Sequence, residues 1–383
     1  MIITNVTLVD CEKALKGSII IEDGMIKEVT EEAIDLAKGA IDGKGMTLMP
    51  AFIDMHAHLR EPGYEYKEDL QTGMSAALKG GFVHLCAMAN TNPVMDDEQK
   101  IATIMQRSEK LNLCDLTQVS AVTKGFEDDE TSFVDFEKIR PLTKMFSNDG
   151  KNMGDEEAMK KALVNSKELD FILSCHCEPE TEMVEKYVET AKKVGGNLHI
   201  CHISLKSTLD AIAKAKDEGI NITCEVTPHH IFDYGLDYKV APPFATEKDV
   251  KALLEGIKSG KIDVCATDHA PHSFEDKEKG MPGISNVEYA FSAYHTVFEK
   301  NSIDISKLSE MLSEKPAKML GLNMGKIKPG MEANLVLADL KEEYEINPAS
   351  FLSKGKNTPF AGRKVKGKIL MTIKRGEIKY DNR

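Results

Sequence analysis

From residue 48 onward the chain alternates short, nearly unbroken apolar runs with longer stretches whose apolar positions recur every three or four residues. The runs are "LMPAFIDMHAH", "FVHLCAMAN", "LTQVSAVT", "LTKMFSND", "FILSCHCE", "LHICHIS", "NITCEVTPHH" and "IDVCATDHA". Short apolar runs of this kind fit strands buried on both faces, as in a parallel sheet. Between them lie stretches with helical spacing, among them "EDLQTGMSAALKGG", "DEEAMKKALVNSKELD" and "STLDAIAKAKDEGI". Several close on glycine, which suits the left-handed turn after a helix. Eight strand–helix units in series predict an α/β fold of the (β/α)8 barrel type.

The flanks follow another rhythm. "IITNVTLVD" and "GSIIIEDGMIKEVT" alternate apolar and polar positions and are joined by glycine-containing turns, as antiparallel hairpins are. The same alternation returns in "GKIKPGMEANLVLADL" and "GRKVKGKILMTIKRGEIKYD". The expected organisation is a barrel over residues 48–324 and a small composite β domain built from residues 1–47 and 325–383.

The polar residues of the apolar runs collect at their C-terminal ends. Run one ends in His56 and His58, which share a face because strand side chains alternate with period two. Run four ends in Asp149, run five in His176, run six in His202 and run eight in Asp268. All strand C-termini of a (β/α)8 barrel open onto one face, so these six would converge. Four imidazoles and two carboxylates suit divalent metal, with zinc favoured. Six ligands exceed one tetrahedral ion with an open position and fit two metals roughly 3.5–4 Å apart. His56, His58 and Asp268 would hold one metal, His176 and His202 the other, and Asp149 would bridge. Cys175 and Cys177 flank His176 and should face away from its metal. His199 is a rival to His202 but lies deeper in its strand. His229 and His230 in "TPHH" are candidate supporting or substrate groups, whereas His84 and His295 read as structural. Six cysteines within the runs (86, 175, 177, 201, 224 and 265) read as small buried hydrophobes.

Charge and composition narrow the partners. A net charge of −13 argues against nucleic acid, whose phosphates need a basic surface. A small anionic substrate stays open, since one arginine can hold it. No apolar run approaches the roughly 18 residues of a membrane helix, and the N-terminus lacks the pattern of a signal peptide. Eight cysteines without a secreted framework suggest reduced thiols and a cytoplasmic location.

Several of these motifs together resemble a known family. "DMHAHLREPG", "MANTNP", "FSNDG", "HCE", "HICHIS", "EVTPHH", "ATDHAPH" and "NTPFAGRKVKG" look like dihydroorotases of the bacterial class I type, within the amidohydrolase superfamily. The resemblance runs from about residue 45 to the C-terminus. It implies a barrel with a small composite β domain and the interconversion of dihydroorotate and N-carbamoyl-L-aspartate in pyrimidine synthesis. The family's metal positions fall on the same six residues and imply one or two zinc ions, two favoured. Its substrate contacts fall on Arg60, Asn90 and His272. Arg60 offers a planar fork for a carboxylate, and Asp268 would serve as general base and then acid.

Dihydropyrimidinases and hydantoinases, which are similar, bridge their metals with a carboxylated lysine on strand four. Here the only lysine of that run is Lys144, roughly 16 Å below Asp149 at 3.3 Å per residue. The chain departs from the family pattern at Ala89, Asn148 and Asn286. It also has Ala241 and Ala245 where an asparagine and an arginine are usual. Three readings follow: a dihydroorotase; another cyclic amidase such as an allantoinase or hydantoinase-like enzyme; or a non-catalytic subunit supporting aspartate transcarbamoylase. Arg60 and Asn90 favour the first, Ala241 the second, and six intact ligands speak against the third. A homodimer and an association with aspartate transcarbamoylase are the open protein partners.

Overall fold

The computed structural model describes residues 1–36, 39–129 and 131–383. Among the described residues, five strands precede the barrel: β1 (Ile2–Val9), β2 (Ala14–Glu22), β3 (Met25–Thr30), β4 (Ile41–Asp42) and β5 (Thr47–Pro50). The barrel strands are β6 (Phe52–Ala57), β7 (Phe82–Ala87), β8 (Asp115–Gln118), β9 (Met145–Ser147), β10 (Ile172–Cys175), β11 (Leu198–Ile200), β12 (Ile222–Val226) and β13 (Val264–Cys265). Three more close the chain: β14 (Leu335–Glu345), β15 (Lys364–Lys374) and β16 (Glu377–Asp381).

β6 to β8 and β9 to β13 pair in parallel in chain order. Single parallel bridges, Ser120 to Phe146 and Ala57 to His269, join the two groups into a closed ring. The eight runs therefore form eight barrel strands. The intervening helices begin where a side-chain oxygen can take a free backbone N–H. Asp69, Asp97 and Asp155 cap the helices Leu70–Lys79, Glu98–Leu111 and Glu156–Glu168 in this way. Gly80 ends the first of them.

The first run divides, contrary to its unbroken apolar pattern. Residues 47–50 pair antiparallel with β14, and residues 52–57 enter the barrel beside β7. The switch falls at Ala51, whose amide donates to Asn334 O while that of Phe52 donates to Gly81 O. Hydrophobicity reports burial, and both sides of the switch are buried.

The two flanks make one sheet in the order β16-β15-β14-β5-β1-β2-β3, with β4 beside β1. Its own apolar core includes Ile3, Leu8, Ile19, Leu48, Leu335 and Ile373. A third cluster, with Val240, Ile284, Tyr289 and Phe360, lies where the segment between β14 and β15 returns to the barrel rim. Among the described residues, no helix is long and apolar enough to cross a membrane.

Candidate active site

The parallel register sets Ser174 beside Ser147 and Cys175 beside Ile200. Asp149, His176 and His202 thus leave their strands one or two residues beyond a common level. Three rim residues, Arg60, His202 and Asp268, have positive φ of 61°, 32° and 47°. Non-glycine residues rarely adopt this conformation, at a cost of order 1–3 kcal/mol each, and their clustering at one rim marks a site where packing enforces a turn.

The six expected ligand residues come together there, all buried. His58 Nε2 lies 3.1 Å from Asp268 Oδ1, and His56 Nε2 lies 3.6 Å from the same oxygen. Asp149 stands between the two halves of the cluster. Its Oδ1 is 3.4 Å from His56 Nε2, 3.7 Å from His202 Nε2 and 3.9 Å from His176 Nδ1. Candidate ligand atoms fall into two separate groups, His56, His58 and Asp268, and Asp149, His176 and His202, which a third group of His56, Asp149 and Cys201 links.

The donor set fits divalent metal. His56 Nε2 and Asp149 Oδ1 are buried without a hydrogen-bond partner, which is costly unless something else engages them. Burial should also neutralise the carboxylates. At Asp149, however, His56, His202 and His58 outweigh it, and they hold the acid well below its ordinary range. At Asp268, burial is likewise overcome by the His58 hydrogen bond and His56. Burial pulls His56 down, but Asp149 and Glu225 outweigh it and hold the imidazolium well above its usual value. The cluster thus demands positive charge at its centre.

Glu225 is the residue that the sequence reading missed. Fully buried in β12, its Oε1 accepts from His56 Nδ1 at 2.6 Å and from the His202 amide at 3.2 Å. Its Oε2 meets His199 Nε2 at 3.1 Å, so His199 supports this carboxylate while His202 faces the cluster. Burial raises the Glu225 acid, yet His56 and His199 bring it down to about 2. A carboxylate on the outer nitrogen of a ligating histidine fixes its tautomer and orientation. Glu225→Gln should therefore weaken the binding of a divalent metal about 10–100-fold, read by chelator competition. Asp54, the acid of the opening motif, accepts from Thr267 Oγ1 at 2.5 Å and so ties the first strand to the eighth. The only sequence signal for either acid was its position inside an apolar run.

Other expectations resolve individually. Cys201 is buried, as its reading as a small hydrophobe expects, with its thiol within 4.8 Å of ligand atoms of His56 and Asp149 and its pKa pushed up by burial to about 12. Cys177 lies against the Cys175 carbonyl instead. His230 bonds Thr227 and the Pro242 carbonyl, and His229 faces Asn286 at 3.4 Å. His84 bonds Thr117, and His295 the Leu340 carbonyl. Lys144 precedes β9 and pairs with Asp170. Asn148 serves the amide of Val122 and the hydroxyl of Thr123. Asn286 donates to Thr267 O at 2.7 Å, which gives that departure a partner.

A cavity of about 230 Å³ opens over the cluster, lined also by Arg60, Asn90, Ala241, His272, Met281 and Gly283. Asn90 is engaged on both sides, with Oδ1 2.9 Å from His58 Nδ1 and Nδ2 3.3 Å from Asp149 Oδ2. Arg60 Nε donates to Pro271 O, and Arg60 Nη2 lies 3.2 Å from His272 Nε2. Burial, then Arg60 and Lys67, push His272 down to about 3, leaving a neutral ring that can accept from Arg60. Of the two alanine departures only Ala241 lines the cavity; the Ala245 carbonyl accepts from the Gly235 amide.

Comparison with known proteins completes the picture. The sequence model described as the amidohydrolase family matches residues 47–379. A dihydroorotase of Clostridium botulinum is 39% identical over 397 residues, covering 99% of each chain. A dihydroorotase of Aquifex aeolicus is 34% identical, again over 99% of each. An L-hydantoinase (dihydropyrimidinase) from Arthrobacter aurescens superposes with a TM-score of 0.91 at 20% identity, covering 100% of this chain and 96% of that one, a likeness of fold.

Proposed function

The chain belongs to the amidohydrolase family, and we propose that it interconverts dihydroorotate and N-carbamoyl-L-aspartate by opening and closing a cyclic amide. The observation that carries this reading is the shared cavity. A half-buried arginine, suited to a substrate carboxylate, opens onto the same space as five of the six cluster residues, His58, Asp149, His176, His202 and Asp268. Near-full-length identity to dihydroorotases supports the substrate.

In this reading His56, His58 and Asp268 would hold one zinc, His176 and His202 would hold a second, and Asp149 would serve both. Bound there, zinc supplies Lewis acidity that brings the pKa of water toward about 7. The protein's own groups do the rest. Arg60 and Asn90 orient the substrate so that its ring carbonyl faces the cluster. Asp268, ionised because His58 and His56 stabilise the carboxylate, takes the proton of the attacking water. As the ring C–N bond breaks, it returns that proton to the departing amide nitrogen. The carbonyl carbon, having gained the water oxygen, becomes a carboxylic acid that releases the water's second proton to solvent and leaves as the carboxylate. Cyclisation retraces these steps. A cytoplasmic location accords with eight unbridged thiols.

Ala241 favours a second reading, a cyclic amidase for another ring, because it removes a side chain from the cavity wall. Zinc-loaded protein offered dihydroorotate, N-carbamoyl-L-aspartate, allantoin and dihydrouracil side by side should turn over the first two alone. Turnover of only the others would move the substrate assignment to the second reading. Silence on all four with zinc bound would favour a non-catalytic subunit.

A further inference from the structure

The motif "NTPFAGRKVKG" lies in the small-domain flank, far from the metal cluster in sequence. Yet its first residue bonds the loop that lines the substrate cavity. Asn357 is nine-tenths buried. Its Oδ1 accepts from the His272 amide at 2.9 Å and from Ser285 Oγ at 2.6 Å. Its Nδ2 donates to Ala270 O at 3.1 Å and to Gly283 O at 3.0 Å. A carboxamide can accept two hydrogen bonds and donate two, and all four are used. Its backbone carbonyl takes a fifth, from the Ser285 amide. These five partners lie between residues 270 and 285, the loop that brings His272, Met281 and Gly283 to the cavity.

We propose that Asn357 is a positioning residue for substrate binding, holding the wall formed by His272 and Gly283, and through His272 the guanidinium of Arg60. This rests on the reading of Arg60 as the carboxylate site. The backbone around Asn357 is shaped for the task. A Cβ at Gly355 would lie 2.3 Å from Ser285 Oγ and 2.5 Å from Pro271 Cβ, so only glycine lets the segment come this close. Ser353 bonds Glu68, and Lys354 Nζ reaches Glu65 O and Asp69, which ties the segment to the turn following Arg60. Phe360 anchors the segment in its own apolar cluster. Lys277 ties the far side of the wall, giving its ammonium protons to Lys239 O, Met281 O and Gly283 O at 3.0, 2.8 and 3.1 Å. A loop held at both ends presents His272 and Arg60 in one arrangement, and ligand then spends little binding energy on ordering them.

Asn357→Ala removes all four side-chain bonds. Asn357→Asp keeps the shape and the acceptors but sets oxygen against Ala270 O and Gly283 O. Gly355→Ala leaves Asn357 intact and pushes the segment away from the loop. The expected result in all three is a rise in KM for dihydroorotate and N-carbamoyl-L-aspartate of about tenfold, with kcat within about threefold and zinc content unchanged. Hydrogen exchange over residues 269–285 should quicken, most at the His272 and Ser285 amides. A space-filling role predicts wild-type KM and exchange in the isosteric Asp variant, and that result would overturn the proposal. If the wild type turns over neither compound, the substrate reading fails, and exchange in the same variants still decides the positioning role.

Discussion

Alanine at both His56 and His58 should yield protein that keeps less than about a tenth of the wild-type zinc, with turnover reduced at least about a thousandfold. The two rings leave the end of β6 on one face, and one group of ligand atoms contains both of them with Asp268. Removing them leaves that half of the centre a single carboxylate. Elemental analysis after gel filtration reads the metal, and circular dichroism reads the fold. Alanine at 56 also strands Glu225 and Asp149 without their main counter-charge, and an uncompensated buried carboxylate costs about 3–5 kcal/mol. His58→Ala alone is therefore the cleaner control, since it keeps the His56–Glu225 pair. Wild type stripped by chelator should regain activity with added zinc, whereas the double variant should not. A double variant with normal zinc content would remove both residues from the ligand set.

Asp268→Asn should lower kcat by about 10²–10⁴-fold even at saturating zinc, because the amide keeps the shape of the side chain but cannot take a proton. His58 lies 3.1 Å from Asp268 Oδ1, and with His56 it holds the acid well below its ordinary value despite burial. The sign of the pH effect follows. A carboxylate with a depressed pKa stays ionised as pH falls through the range where an ordinary aspartate protonates. Wild-type hydrolysis should therefore show no loss attributable to Asp268 between pH 7 and roughly pH 4. A pH–rate profile on zinc-saturated wild type and variant tests both statements. Near-normal kcat in the variant would reassign the proton to another group.

Much of the site could be read from the chain because two simple rules act together. Period-two alternation puts His56 and His58 on one face, and the barrel's parallel strands bring every run's C-terminal end to one rim. Neither rule needs a long-range contact, so six residues spread between positions 56 and 268 could be assembled from local pattern alone. The resemblance added Arg60, Asn90 and His272 as expected substrate contacts, and all three line the same cavity. Local pattern ran out where a residue's meaning depends on a distant partner. Glu225 is one acid in an apolar strand until His56, 169 positions away, is laid beside it. Position in the strand already set His202 ahead of His199 in "HICHIS", but that His199 supports Glu225 appears only when β11 and β12 lie side by side. The first run looks like one strand because both of its halves are buried, and only hydrogen-bond partners reveal the switch at Ala51.

By itself, then, the sequence determined the barrel, the identity of the ligand-type residues and the rim where they meet, because side-chain periodicity and strand direction are local properties. Which carboxylate orients which imidazole, how Arg60 is aimed, and that Asn357 of the small-domain flank braces the substrate wall were decided by tertiary structure alone. The Asn357–Ser285, His56–Glu225 and Arg60–His272 contacts join segments 72 to 212 positions apart, and their geometry exists only once the barrel has closed and the flanks have paired.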